Sequence, residues 1–151
     1  MAVRKVGAFF EIILSNKKYA YGRILEKANY AFYDIHSNIR ITEIKEIQNK
    51  DILFIVAVYK YAITKERWKK IGQLDLESKL RVLPLKFIED QLSPGNFKLY
   101  DPNTGVASLT TKDKCVGLER AAVWEPTHIE DRIIDYYEGR PNKWVKQLEL
   151  K

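Results

Sequence analysis

The chain has 151 residues, 46% hydrophobic and 12% aromatic, with 26 lysines and arginines against 20 aspartates and glutamates for a net charge of +6. That is one domain's length, residues 1–151 forming a single unit, and the aromatic content excludes a disordered chain. A single cysteine, Cys115, excludes an internal disulfide and fits a reducing compartment, and no apolar run reaches the roughly 20 residues of a membrane span, so a cytoplasmic protein with no membrane attachment is expected.

Residues 6–15, VGAFFEIILS, are apolar and rich in strand formers, and the turn-like SNKK leads into YAYGRILE at 19–26, so the pair reads as a hairpin. NYAFYDIHS at 29–37 alternates Tyr30, Phe32 and Asp34 against Ala31, Tyr33 and Ile35, a third strand with two partly apolar faces. Three successive strands predict a meander or a small barrel. In ITEIKEIQNK, 41–50, Ile41, Ile44 and Ile47 recur every third position, which we read as a short helix rather than an edge strand. ILFIVAVYKYAI, 52–63, is the most apolar segment and is expected to be the central strand, buried on both faces. Strand-like stretches follow at 67–72 and 84–90, with Pro84 limiting where the second can pair. Two turns, Ser93 to Asn96 and Asp101 to Gly105, then bracket a short strand FKLY.

The period changes in the C-terminal third. Thr127 with Glu130 three residues on is a capping-box pattern, Ile129, Ile133, Tyr136 and Tyr137 repeat at helical spacing, and Gly139 supplies a stop, so a helix is predicted over 127–138. Beyond a proline turn, the segment around Trp144, Val145 and Leu148 docks as a last helical turn or an edge strand. The fold class is α+β: a bent antiparallel sheet or partly open β-barrel with a short mid-chain helix and a C-terminal helix.

Chemistry-bearing residues are sparse. His128 sits among carboxylates and arginines in GLERAAVWEPTHIEDRII, but Pro126, Thr127 and the acids at 130 and 131 are what a helix start requires, and His128 is placed at an accessible first-turn position. With His36 it makes only two histidines, with no HExxH or paired-cysteine spacing, too few for a histidine-rich binuclear metal centre. Cys115, which follows Lys112 and Lys114, has no catalytic motif around it and reads as a small, partly buried thiol. The seven glycines stand singly, so no phosphate-cradling loop is present. No cofactor is implied. Tyr19, Tyr21, Tyr30, Tyr33 and Trp68 among lysines could stack bases on a strand face, a nucleic-acid-binding reading that further requires Lys60, Lys65, Lys69 and Lys70 on one face. Aromatics alternating on strands are more often core packing, and no RNA-binding signature accompanies these, so a nucleic-acid partner is not expected. Trp124 and Trp144 read as anchors of the C-terminal helix.

Taken in order, VGAFFEIILSNKKYAYGRIL, YAFYDI, ILFIVAVYK, KLYDP, GLERAAVWEPTHIEDRI and GRPNKW resemble the immunity protein 26 family of bacterial polymorphic toxin systems across nearly the whole chain. The resemblance implies an intracellular, non-enzymatic protein that binds and neutralises a cognate toxin domain by stoichiometric protein–protein interaction. Some relatives share a phosphotriesterase label, an activity whose familiar enzymes use a histidine-rich two-metal site that this chain lacks. A phosphotriesterase-like hydrolase built on His36, His128 and nearby carboxylates is the enzyme alternative, and it requires the two histidines to converge in one cleft. Within the predicted helix, Glu130, Asp131, Asp135 and Glu138 form the best local acidic face, and with Tyr136 and Tyr137 they are the candidate toxin contact.

Overall fold

The computed structural model describes residues 2–151. In chain order, β1 (Ala8–Ile13), β2 (Tyr19–Ile24) and β3 (Asn29–Tyr33) lead into α1 (Ile44–Gln48), β4 (Ile52–Val58), α2 (Tyr61–Thr64) and β5 (Lys69–Gln73). Then come α3 (Ser78–Arg81), β6 (Lys86–Glu89), β7 (Phe97–Asp101), β8 (Val106–Thr110) and a 3-10 turn over Lys112–Cys115. The two-residue strands β9 (Glu119–Arg120) and β10 (Val123–Trp124) precede the helices α4 (Pro126–Tyr137) and α5 (Lys143–Leu148).

The class is α+β, as the sequence predicts, but the strands divide between two sheets and neither closes into a barrel. A six-stranded sheet runs β10-β4-β3-β2-β1-β5, antiparallel except for β10 on β4; a four-stranded sheet runs β8-β7-β6-β9, antiparallel except for β9 on β6. The first three strands form the expected meander because their side chains alternate cleanly. Phe10 and Ile12 of β1, Ala20 and Ile24 of β2, and Tyr30 and Phe32 of β3 point to one face, where Ile129, Ile133 and Ile134 of α4 cover them together with Trp68 and Trp124. Phe9, Tyr21 and Tyr33 point to the other face, against Ile47 of α1, and Leu25 and Ala31 lie beside them against Leu80 of α3. Each of the phenylalanine, isoleucine and leucine side chains among these, fully withdrawn from water, contributes about 1.5–3 kcal/mol. The four-stranded sheet has a smaller core of Phe87, Phe97 and Cys115.

The segment 52–63 departs from expectation. Its strand ends at Val58, Tyr61–Thr64 turns into α2, and β4 lies second from the sheet edge with Ile52 to Ile55 only half-buried. The apolar run is continuous for two different reasons: Val56 and Val58 face α4 from a strand, whereas Ala62 and Ile63 reach the same core from a helical turn. The strand buried throughout is β3.

Two residues close the centre of the large sheet. Gly22 sits opposite Phe10, and a Cβ there would stand 2.3 Å from the Phe10 ring and 2.7 Å from the Ala31 carbonyl. Its absence lets the ring cross β2 and stack on Trp68 at 5.1 Å. On the other face Arg23 is fully buried, with Phe9 under its guanidinium at 3.9 Å. Each of its five N–H groups is used, on Gly7 O, Leu74 O, Asp75 O, Tyr33 Oη and Glu77 Oε1. This one side chain thereby ties β1, β2 and β3 to the chain entering α3.

Candidate functional site

α4 begins with Pro126 at its first position and Glu125 as N-cap, without a side-chain cap, so Thr127 is not the cap and Glu130 closes no capping box. Proline removes one of the donors a cap would satisfy and presets the backbone angle, so the start holds without the motif. Glu130 turns instead toward β5. Its carboxylate accepts from Arg67 Nε and Nη2 at 2.7 and 2.9 Å and from the core Trp68 Nε1 at 2.9 Å.

The other acids of the predicted face also have internal partners. Asp131 accepts from Trp144 Nε1 at 3.4 Å, Asp135 from Arg140 Nε and Nη2 and from Asn142 Nδ2, and Glu138 pairs with Arg140 at 2.7 Å. Tyr137 donates its hydroxyl to Asp34 and stacks on His36 with centroids 4.5 Å apart, while Tyr136 is 58% exposed. Asn142 caps α5, its Oδ1 accepting from Trp144 N and Val145 N. Between α4 and this cap lies a cleft of about 330 Å³ lined by Asp131, Asp135, Arg140, Lys143 and Trp144. A second pocket of about 280 Å³, containing Tyr59, Val123, Glu125 and His128, adjoins it through their shared Trp144.

The histidines do not converge. His128 is half-buried rather than open, stacked on Trp144 at 3.5 Å in the first turn of α4, whereas His36 stacks on Tyr137 in the last. The two partner positions on α4 are about 13 Å apart along its axis. Burial, with the charge of Lys18, holds His36 below its usual pKa against the opposing pull of Glu138. Among the described residues no group of three or more histidines, cysteines, aspartates or glutamates is placed to hold a metal ion. Cys115 is fully buried, and burial together with Asp113 pushes its thiol pKa up, away from the nucleophilic thiolate.

The aromatic residues considered as a base-stacking platform belong to the interior: Tyr21, Tyr30, Tyr33 and Trp68 are buried, and burial pushes the Tyr21 hydroxyl up to about 12. Lys69 and Lys70 are neighbours on β5, so their side chains leave on opposite faces. Among the described residues no helix is long and apolar enough to cross a membrane. Trp124 is buried against α4 and anchors it to the large sheet, whereas Trp144, on α5, is half-buried against His128 and ties α5 to α4 rather than to the sheet. Sequence reasoning passed over Lys86, because a lone lysine in KFIE reads as a solvent-facing strand position; it is buried between the sheets.

The family model described as Immunity protein 26 matches residues 5–98, covering the meander, α1 to α3 and the start of the second sheet. Neither the curated proteins nor the solved structures give a match. With more than half its length so matched, the chain belongs to the immunity protein 26 family.

Proposed function

We propose that this protein is a cytoplasmic immunity protein that binds a cognate toxin domain one-to-one and neutralises it without chemistry of its own. The observation that carries the reading is the family match over residues 5–98. The contact is proposed on the α4 surface formed by Glu130, Asp131, Asp135, Tyr136, Tyr137 and Glu138. Two features support that choice. Tyr136 is a large aromatic side chain left mostly in water, the residue type that anchors tight interfaces, and elsewhere on the same helix a cleft presents Asp131 and Asp135 next to Arg140 and Lys143. The internal ion pairs there leave the acids oriented, so little side-chain freedom is lost on binding.

The test is co-expression with the toxin domain encoded beside this protein's gene, followed by calorimetry on the purified pair and a growth assay. One-to-one binding that restores growth is the expected result, with Tyr136→Ala weakening it by about 2 kcal/mol or more. Absence of binding by the unaltered protein would sink the reading.

A further inference from the structure

Lys86, at the seam between the two sheets, is only 4% exposed, yet its ammonium makes one hydrogen bond, Nζ donating to Asn29 Oδ1 at 2.8 Å. An ammonium has three donors, and burying a charge without answering it is unfavourable. Arg23 shows how this chain treats a purely structural buried cation: every donor is filled. Lys86 is treated differently. Its neighbour across the parallel β6–β9 pairing, Glu119, is committed to Arg132 through both oxygens, at 3.1 and 2.8 Å. Among the described residues no ion pair reaches Lys86.

The ammonium lines a pocket of about 260 Å³ whose walls are apolar and small, Ala57, Ala121, Ala122 and Val123 among them; Lys27 and Tyr100 also line it, and no carboxylate does. Lys27 is held there by an unusual turn. Asn29 N–H donates to Glu26 O at 3.0 Å, and both central residues, Lys27 and Ala28, have positive φ, 54° and 63°. Two-residue hairpins of that hand ordinarily use Asn-Gly, and other residues pay in strain. The Asn29 side chain braces both parts, its Nδ2 donating to Lys27 O at 2.9 Å while its Oδ1 receives Lys86. Burial lowers the Lys86 pKa against a partial counter-pull from Glu119, the direction an arriving anion reverses.

We propose that this pocket receives an aspartate or glutamate side chain of the partner protein, seated on the Lys86 ammonium with Lys27 beside it. The proposal rests on the immunity reading for the source of that carboxylate. Charge complementarity selects the occupant: two lysines and no acid line the pocket of a chain whose net charge is +6. Position supports the source, because the pocket shares Ala122 and Val123 with the His128 pocket, which shares Trp144 with the α4 cleft. Shared lining residues thus link the pockets in series from α4 to Lys86.

The experiment is calorimetry of the co-encoded toxin domain with the wild type and with Lys86→Met, which keeps the aliphatic stem and removes the charge. Binding roughly 30-fold weaker or worse is expected for Lys86→Met, the loss of a desolvated charge contact. In case that variant does not fold, the Lys86 ammonium signal of the wild type is followed by NMR, and it is expected to shift as the toxin domain saturates. Wild-type binding with an unmoved ammonium signal, or with Lys86→Met unimpaired, overturns the pocket and leaves the immunity reading standing. No binding by the wild type overturns the immunity reading, and the protein source of the carboxylate with it. Inorganic phosphate that moves the ammonium signal at micromolar concentration, with toxin affinity unchanged in Lys86→Met, assigns the pocket to a small anion and overturns the protein carboxylate.

Discussion

At the scale of single residues, the clearest difference is between a cation whose donors are all used and one whose donors are not. The fully buried Arg23 pairs with the partly exposed Glu77, and Gln48 braces the pair by donating to the same Glu77 oxygen at 2.9 Å. Burial alone would push the Glu77 carboxyl up; the hydrogen bonds from Gln48 and Arg23 and the guanidinium charge outweigh it and hold the pKa below the usual 4.5. A depressed carboxyl pKa stabilises the fold fully above the unfolded value and loses that contribution as pH falls through the folded value. The stability gap between wild type and Glu77→Gln, read from urea midpoints, is therefore expected to narrow as pH drops below about 4.5; a gap unchanged between pH 7 and 3 would contradict the pairing. Arg23→Met leaves Glu77 with Gln48 as its remaining side-chain donor and takes the guanidinium from the Leu74 and Asp75 carbonyls, and is expected to cost about 3 kcal/mol at neutral pH. Neither this network nor Lys86 was legible in the sequence. Burial of a charge depends on what lies across the sheet, and the partners are 54 residues away for Glu77 and 57 for Asn29.

At the scale of elements, strands whose two faces differ were readable, and so was the α4 periodicity, because both patterns are local. The failures are also local patterns, overruled by tertiary contacts. The apolar run 52–63 crosses a strand-to-helix change because both parts face one core. Residues 127 to 130 spell a capping box, yet Glu130 bonds Arg67 and Trp68, while a functioning cap sits unremarked at Asn142. These placements give opposite expectations for two substitutions. Thr127→Ala should change stability by less than about 0.5 kcal/mol, whereas Asn142→Ala should cost about 1 kcal/mol, both measured by chemical denaturation. The six proposed contact residues lie on or at the end of α4, but where their side chains turn was not legible: Glu130 goes to Arg67 and Trp68, Tyr137 to Asp34 and His36, and Asp135 and Glu138 to Arg140.

At the scale of the whole molecule, the stretch that carries the family match and the unit that folds are different. The match stops at residue 98, inside β7, whereas the large sheet needs β10 on its edge and α4 over Phe10, Phe32 and Val56. A chain cut after residue 98 is expected to lack a cooperative thermal transition and to aggregate, while the full chain melts as one unit; an independently folded 1–98 would refute this dependence on α4. The same arrangement governs biosynthesis. Five of the six strands of the large sheet are made by Gln73, where β5 ends, yet its cover is complete only at Tyr137, so at 5–20 residues per second the nascent sheet stays uncovered for roughly 3 to 13 s. A protein made this way is most exposed to misassociation while still on the ribosome, and its yield in a cell depends on what shields that apolar face until α4 emerges.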